Sequence, residues 1–270
     1  MKTTIKTLLL SVLVLLMIVS TTSQAQSHWE PVPVKFGGFI VIMNLQEKDD
    51  TIFMGGWFQA ISLFDSTKAS ANLGGIKQDS LHEMWWGNPH VFGSVSSLCV
   101  FKGDLFVNGN GGYYNLTYFK DASPKNVSFY SSGRLTLGSD ANYLYVSGDV
   151  SSSATAPDTG VIKGLLRWDG TTAYRMGAGL NGKVNAFSTL DGNVYAGGYF
   201  THSGSKKMAG VAVWDGFDWY SLTPNETKDT VSVLTVLATE KGVYAGGTFS
   251  SIDGVSANGI ALWKDDKWHA

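Results

Sequence analysis

The residues that most often carry chemistry are sparse in this chain and are not spaced for catalysis. The histidines show no metal-ligand spacing such as H-x-x-x-H; they are His28, His82, His90, His202 and His269. The glycine-rich stretch NGNGGYY, residues 108–114, lies between expected strands, so no helix N-terminus is available to bind a phosphate. No G-x-S-x-G nucleophile elbow occurs. The sequence therefore predicts no metal and no cofactor, and it favours a protein that is not an enzyme.

Two carboxylates and one thiol remain as candidates for catalysis. Asp149 and Asp253 could pair for glycoside cleavage, but nothing in their spacing selects them over a structural role. The stretch SSIDG around Asp253 resembles part of a sialidase Asp-box, yet it lacks the tryptophan that should follow. Cys99, the one cysteine, lies in SSLCVF, which is typical of a strand, so we expect a buried and inert thiol.

One recurring position is better suited to binding than to catalysis. It directly follows a repeated glycine pair, or the equivalent of that pair, and it holds Trp57, Asn110, Asp149, Tyr199 and Thr248. His202, in a neighbouring loop, could join these groups. A ring of aromatic, amide and carboxylate side chains would suit a carbohydrate or a peptide. The alternative interpretation is that these residues are solvated strand ends.

A repeat sets the spacing of these positions. VYAGGYFTHSGSKKMAGVAVWDGFDW, residues 194–219, aligns without a gap with VYAGGTFSSIDGVSANGIALWKDDKW, residues 243–268, at a step of 49 residues. Three more divergent copies precede them, and the corresponding aromatic residues are Phe53, Phe106, Tyr145, Tyr195 and Tyr244. A spacing this regular is typical of a supersecondary unit used several times.

Each unit divides into four short apolar runs separated by turn residues, and in the fourth unit these are VNAFSTL, VYAGGYF, GVAVW and DWYSL. Val211 and Val213 alternate with Ala212 and Trp214, which predicts that the two pairs point to opposite faces of a strand. The sequence predicts an all-β fold: a β-propeller of about five four-stranded blades. The expected domains are a signal peptide at 1–25 and one propeller at 26–270, with blades near 34–87, 91–130, 133–176, 182–222 and 231–270.

The pattern V-Y-A-G-G-x-F, followed by A-N-G-I-A-L-W-x-D and a second tryptophan, resembles repeats of secreted bacterial β-propeller proteins. It is also similar to the propeller of a fungal cortical marker protein and, more distantly, to kelch repeats. The resemblance implies the fold and an extracellular setting, and it transfers no catalytic residue. Ser147 replaces the first glycine of the pair, and Asn110-Gly111 replaces the step that leads to Phe200 in the fourth unit, so we expect distorted blades at both places.

The two ends of the propeller differ in their connections. The turns after the first and third strands of a unit are tight, as in LDGN and KDD. The connections after the second strand are longer and more varied, as in SSSATAPDT and THSGSKKMA. Varied loops on a rigid scaffold are where binding is usually located, so we expect the ligand at this second end.

The N-terminus indicates export. Lys2 and Lys6 precede an apolar run of 12 residues, Leu8 to Val19, and Ser23-Gln24-Ala25 offers a cleavage site. The run is too short for a membrane span, so none is expected in the mature chain. Removing 1–25, which holds two lysines and no acid, changes the formal charge from −2 to −4, and no basic footprint for nucleic acid exists.

The segment HWEPV, residues 28–32, resembles the fourth strand of a unit. It could replace the strand at Trp268 and close the ring, or the chain could belong to an open array; closure is favoured because it removes exposed sheet edges. The sequence thus favours an exported, non-enzymatic binding or interaction module at the cell surface, outside the cell or in the periplasm, with a protein or carbohydrate partner. A glycoside-active enzyme and a structural component of a surface assembly are the alternatives.

Overall fold

The computed structural model of the chain describes residues 34–37, 41–57, 60–63, 66–69, 72–77, 80–82, 94–109, 116–120, 123–127, 129–131, 134–148, 150–152, 161–162, 164–226 and 231–270. Regular structure in these ranges consists of β-strands. No helix in this part of the chain has the length and apolar character that crossing a bilayer requires. The predicted signal peptide at 1–25 and the predicted strand at 28–32 lie outside the described residues.

Five antiparallel sheets of four strands follow one another in the described ranges, and the strand order in each sheet is the chain order. The first sheet consists of Val41–Lys48, Thr51–Trp57, Leu73–Lys77 and Ser80–His82. The second consists of Val95–Phe101, Asp104–Gly109, Leu116–Lys120 and Ser123–Asn126. The third consists of Thr136–Ser139, Leu144–Ser147, Leu165–Trp168 and Ala173–Arg175. The fourth consists of Lys183–Leu190, Asn193–Tyr199, Val211–Trp214 and Trp219–Ser221. The fifth consists of Val233–Thr239, Gly242–Gly247, Ile260–Lys264 and Lys267–His269.

The sheets stack face to face through their first strands. Each first strand packs on the first strand of the following sheet, from the first sheet through to the fifth. In the fourth sheet Val211 and Val213 belong to the core shared with the fifth sheet, whereas Ala212 and Trp214 belong to the core shared with the third. The predicted alternation is therefore confirmed. The predicted all-β propeller is confirmed as well, because five four-stranded antiparallel sheets follow one another and stack through their first strands.

The glycine pair has two separate structural causes. A Cβ on Gly197 would collide with Val233 and Val236 of the fifth sheet, so the first glycine lets the neighbouring sheet approach. A Cβ on Gly198 would instead collide with the carbonyl of Lys183 in its own sheet. That carbonyl lies beside a register shift between Val184 and Ala186, which is a β-bulge.

The tight turns adopt the conformations that their residues favour. Asp191 and Gly192 both have positive φ, at 50° and 79°, between the first two strands of the fourth sheet. Asp265 and Asp266 do the same between the last two strands of the fifth sheet, at 50° and 56°. Positive φ at two successive residues is the type I′ turn that matches the twist of antiparallel strands. These turns therefore keep one end of the propeller compact.

Short strands that the sequence analysis did not predict lie in the connections after the second strand. Four such connections contain a two-stranded hairpin. The strands are Ala60–Leu63 with Ser66–Ala69, Val150–Ser152 with Val161–Ile162, His202–Ser203 with Lys206–Lys207, and Ser251–Ile252 with Val255–Ser256. In two of them a strand from the segment leading into the same sheet adds a third member, Val34–Gly37 or Phe129–Ser131. These connections are thus ordered, not merely long and variable.

The fifth sheet is complete with residues of its own C-terminus. Trp268 lies in its fourth strand, its side chain is buried, and its indole Nε1 donates a hydrogen bond to the Leu222 carbonyl at 2.6 Å. Trp219 makes the equivalent bond in the fourth sheet, to the Met176 carbonyl at 2.9 Å. The strand at Trp268 is therefore anchored in the same way as its counterpart one repeat earlier.

Candidate functional site

The position that follows the glycine pair presents large side chains to solvent. Trp57 and Tyr199 end the second strands of the first and fourth sheets, and their side chains are 54% and 59% exposed. Thr248, one residue beyond the second strand of the fifth sheet, is also exposed. Asn110 and Asp149, the two other predicted members, lie outside the described residues. The described members therefore share exposure at one repeat position, although each belongs to a different sheet.

The β-bulge fixes this position at the strand end. Trp57 pairs with Val41 and Tyr199 with Lys183, in both cases one residue before the register shift begins. In the fifth sheet the Thr248 amide donates to the Ser232 carbonyl at 3.0 Å, so Thr248 lies opposite Ser232 as Tyr199 lies opposite Lys183. A bulge re-aims the side chains beside it, and the rigid sheet holds the backbone. The aromatic rings therefore project from an ordered edge and not from a loop.

His202 is held by an asparagine that the sequence analysis did not single out. The Asn181 side-chain oxygen Oδ1 accepts hydrogen bonds from the Thr201 and His202 backbone amides at 2.8 and 2.9 Å. Asn181 Nδ2 donates to Thr201 Oγ1 at 2.8 Å, and His202 Nδ1 lies 2.8 Å from the same hydroxyl. His202 is half-buried at the start of its hairpin. It is therefore an ordered polar group three residues after Tyr199.

The hairpin after His202 folds outward along its own sheet. Lys206 Nζ forms an ion pair with Asp218 and lies 5.1 Å from the centroid of the Tyr220 ring, beside the outermost strand. The Asp218 carboxylate raises the pKa of Lys206, and Lys206 in turn lowers the pKa of Asp218. The hairpin is thus fixed beside the outermost strand, and Tyr199 at the strand end is exposed.

Asp253 has a structural role in the described part of the chain. Its carboxylate accepts hydrogen bonds from the Asn225 amide at 2.6 Å and from Asn225 Nδ2 at 3.2 Å. Its own amide donates to Glu226 Oε2 at 2.8 Å, and Lys207 Nζ donates to the Glu226 carbonyl at 3.0 Å. These bonds tie the last hairpin, and Lys207 of the preceding hairpin, to the segment that leads into the fifth sheet. An asparagine in each connecting segment, Asn181 or Asn225, is the sequence signal that would have found these ties.

The surroundings of Cys99 and Asp169 account for their shifted pKa values. No group of three or more His, Cys, Asp or Glu side chains in the described ranges is arranged to hold a metal ion. Cys99 is buried, and burial raises the pKa of its thiol, so the thiolate is scarce at neutral pH. The Asp169 carboxylate accepts from the Thr172 amide and from Thr171, and these bonds hold its pKa well below the usual range.

No protein-family profile and no curated protein sequence matches the chain. Among solved structures it is similar to the extracellular domain of the one-component system BT4673 from B. thetaiotaomicron, with a TM-score of 0.51 and 11% identity over 78% of this chain and 26% of that one. YCF48 bound to D1 peptide gives a TM-score of 0.49 at 8% identity over 88% and 70% of the two chains. The computationally designed Ika8 protein gives 0.47 at 13% identity over 82% and 57%.

The likeness to the extracellular domain concerns the fold, which is propeller-like in both proteins. The chain spans about a quarter of the length of the extracellular domain (26%) and just over half of the length of the designed protein (57%). The five four-stranded sheets and this likeness define the class of the protein as a β-propeller.

Proposed function

We propose that this chain is an exported, non-enzymatic binding or interaction module, displayed at the cell surface or beyond it. Residues 26–270 form its single propeller domain, and the apolar N-terminal run with its Ser-Gln-Ala site is the export signal. N-terminal sequencing of the exported protein should begin at Gln26. A chain that retains Met1–Ala25 inside the cell would contradict export.

The proposed binding surface is the strand-end position held by Trp57, Asn110, Asp149, Tyr199 and Thr248, together with His202. One observation supports it above the others: Trp57 and Tyr199 occupy the same repeat position and are both more than half exposed. A soluble fold gains nothing from leaving such large rings in water, whereas aromatic rings on a rigid scaffold provide contact area at low entropic cost. This distribution favours ligand recognition over a solvated strand end.

Carbohydrates and protein segments are the ligand classes that this chemistry favours. Aromatic faces pack against sugar rings and apolar side chains, and nearby hydroxyl and imidazole groups offer hydrogen bonds that set orientation. Lys183, the cross-strand partner of Tyr199, is exposed and adds a cation at this strand end. The overall negative charge of the chain argues against nucleic acid as the partner.

The test is a glycan array and a pull-down from cell-surface extract, both performed with the mature chain. Trp57→Ala and Tyr199→Ala should each weaken binding by roughly tenfold or more, as expected for an aromatic anchor at a binding surface. The matched control is Phe217→Ala, because Phe217 is 88% exposed but lies in the turn between the third and fourth strands. Binding that survives both strand-end substitutions, or that Phe217→Ala weakens equally, would contradict the proposed surface.

A further inference from the structure

The fifth sheet exposes the face that its neighbour buries. Val211 in the fourth sheet is fully buried, whereas Ile260, its counterpart 49 residues later, is 62% exposed. Leu234 and Leu237, in the first strand of the fifth sheet, are 54% and 56% exposed. Three large aliphatic side chains therefore lie in solvent on a single sheet.

The register places Leu237 and Ile260 on one face. Leu234 lies in the register shift between Val233 and Thr235, and its counterpart Asn185 points to the following sheet, so Leu234 belongs to the same face. Leu237 is paired with Tyr244, and Tyr244 with Leu262, so the three form one row across the sheet. Ile260 is paired with Gly246, two residues from Tyr244, and thus extends the same face. We call Leu234, Leu237, Tyr244, Ile260 and Leu262 the trailing face. A contiguous apolar patch of this kind marks an interaction surface.

The fourth sheet shows what such a face is built to contact. There Leu190, Tyr195, Val211 and Val213 pack on the first strand of the fifth sheet. Asn185 Nδ2 donates to the Val233 carbonyl at 2.7 Å, and Ser188 Oγ accepts from the Ala238 amide at 3.1 Å. The fifth sheet replaces both polar groups with leucine, since Leu234 and Leu237 are their counterparts. In the fourth sheet, the equivalent face packs on the first strand of the following sheet. The trailing face of the fifth sheet has leucine at the two polar positions, and it is therefore more apolar than that equivalent face.

The first strand of the first sheet exposes a side chain that its counterparts in other sheets bury. Leu45 is 44% exposed, whereas Leu98 and Val236, which hold the same register position in the second and fifth sheets, are 3% and 6% exposed. Leu98 and Val236 lie against Gly55 and Gly197 of the preceding sheets. Within the described residues, the first strand of the fifth sheet does not pack on the first strand of the first sheet in the way that successive first strands pack on one another. Each chain thus presents both halves of one interface, and the two halves are apart.

We propose that the trailing face docks on the first sheet of a second copy of this chain. The contact continues the stacking that joins the fourth and fifth sheets, with Leu45 of the second copy at the place of Val236. The two surfaces differ, so the association is heterologous: two copies can close into a ring, or further copies can extend it. This inference is independent of the proposed ligand surface at the strand ends.

A disulfide between copies tests the geometry. Ser188 and Ala238 touch across the established interface, and their counterparts across the proposed contact are Leu237 and Glu47. Mixing Leu237→Cys with Glu47→Cys chains under mild oxidation should give a covalent dimer of the two variants, since Ser188 Oγ and Ala238 N lie 3.1 Å apart at the equivalent place and a disulfide needs two side chains that meet. The matched control, Phe217→Cys mixed with Glu47→Cys, should give none.

The same pair distinguishes the alternatives. If the double variant Leu237→Cys/Glu47→Cys forms its disulfide within one chain at every dilution while the mixture gives no dimer, the propeller closes on itself and the proposal is wrong. Failure of both the mixture and the double variant to cross-link overturns it equally, because the two faces then do not meet. The buried Cys99 does not enter the reaction.

Light scattering of the mature chain gives a second measurement without cross-linking. The average mass should rise with concentration, and Leu237→Glu should raise the dissociation constant roughly thirtyfold or more, as loss of a central interface contact does. Phe217→Glu should leave the constant unchanged, and circular dichroism should show that both variants retain the sheet fold. A single-chain mass at all concentrations would overturn the proposal.

Discussion

The interface between the fourth and fifth sheets and the interface between the second and third solve one packing problem in different ways. At the fourth sheet the first glycine of the pair, Gly197, leaves room for Val233 and Val236 of the next sheet. At the second sheet the same register position holds Asn108, which is buried and accepts a hydrogen bond from the Leu135 amide of the next sheet at 2.9 Å. At this register position one interface is filled by apolar contact, and the other is joined by a side chain bonded to backbone.

The third sheet uses the second solution as well. Ser147 stands at the position of Gly197, is buried, and donates its hydroxyl hydrogen to the Val184 carbonyl of the fourth sheet. Ser97 accepts from the Leu137 amide at 3.0 Å and Ser139 donates to the Val100 carbonyl at 2.7 Å, so polar ties recur around these strands. Ser147 pairs with Thr136 without a register shift, and its hydroxyl satisfies a backbone group of the neighbouring sheet.

Gly197→Val should have the largest effect on stability. Its new methyl groups would overlap Val233 and Val236 and force the fourth and fifth sheets apart, at a cost of about 3 kcal/mol in the free energy of unfolding. Urea unfolding of the two chains measures the difference. The matched control is Gly246→Val, where the added Cβ meets the end of the exposed Thr235 side chain, which can move. Equal losses for both variants would show that neighbour packing is not the reason for the first glycine.

Asn108→Leu should have the next largest effect, although it preserves side-chain volume. It leaves the Leu135 amide without its acceptor in a buried interface, at a cost of about 2 kcal/mol. The free energy of unfolding from urea melts is again the measurement. Lys125→Leu in the same sheet is the control, because Lys125 is exposed on the outermost strand. If Asn108→Leu were as stable as the parent, the hydrogen bond would not be what joins these sheets.

Tyr145, in the third sheet, should make a smaller and pH-dependent contribution to the free energy of unfolding. Its ring packs on Phe187 of the fourth sheet at 5.9 Å between centroids, and its hydroxyl donates to Asp140 Oδ2 at 2.8 Å. Burial, and then the hydrogen bond to Asp140, raise the pKa of Tyr145 in the folded state. This contribution is therefore complete below the unfolded pKa of about 10 and is lost as the pH rises above it.

Thermal melts between pH 7 and 11 measure this loss. Tyr145→Phe should melt with a flatter dependence on pH above about 10, because the titrating group is gone. A variant whose melting temperature falls as steeply as that of the parent would show that other groups control alkaline stability.

Much of the fold follows from local features of the sequence. The step of 49 residues, the alternation of Val211 and Ala212, and turns such as Asp191-Gly192 predict strands, hairpins and repeated sheets. The hairpin at His202–Ser203 was missed because its strands are only two residues long, below the length at which alternation is visible. The strand-end position was found because its residues vary while the neighbouring residues repeat, and the structure adds that Trp57 and Tyr199 are exposed there.

What the sequence determined by itself was the repeating unit, since alternation and turn preference act between residues a few positions apart. What only the tertiary structure decided was the burial of each unit, which depends on what stands next to it. Ser188 and Leu237 occupy one register position, yet a neighbouring sheet contacts Ser188 and water contacts Leu237. The free energy of an apolar side chain depends on the surface removed from water, and that surface is set by contacts distant in the chain.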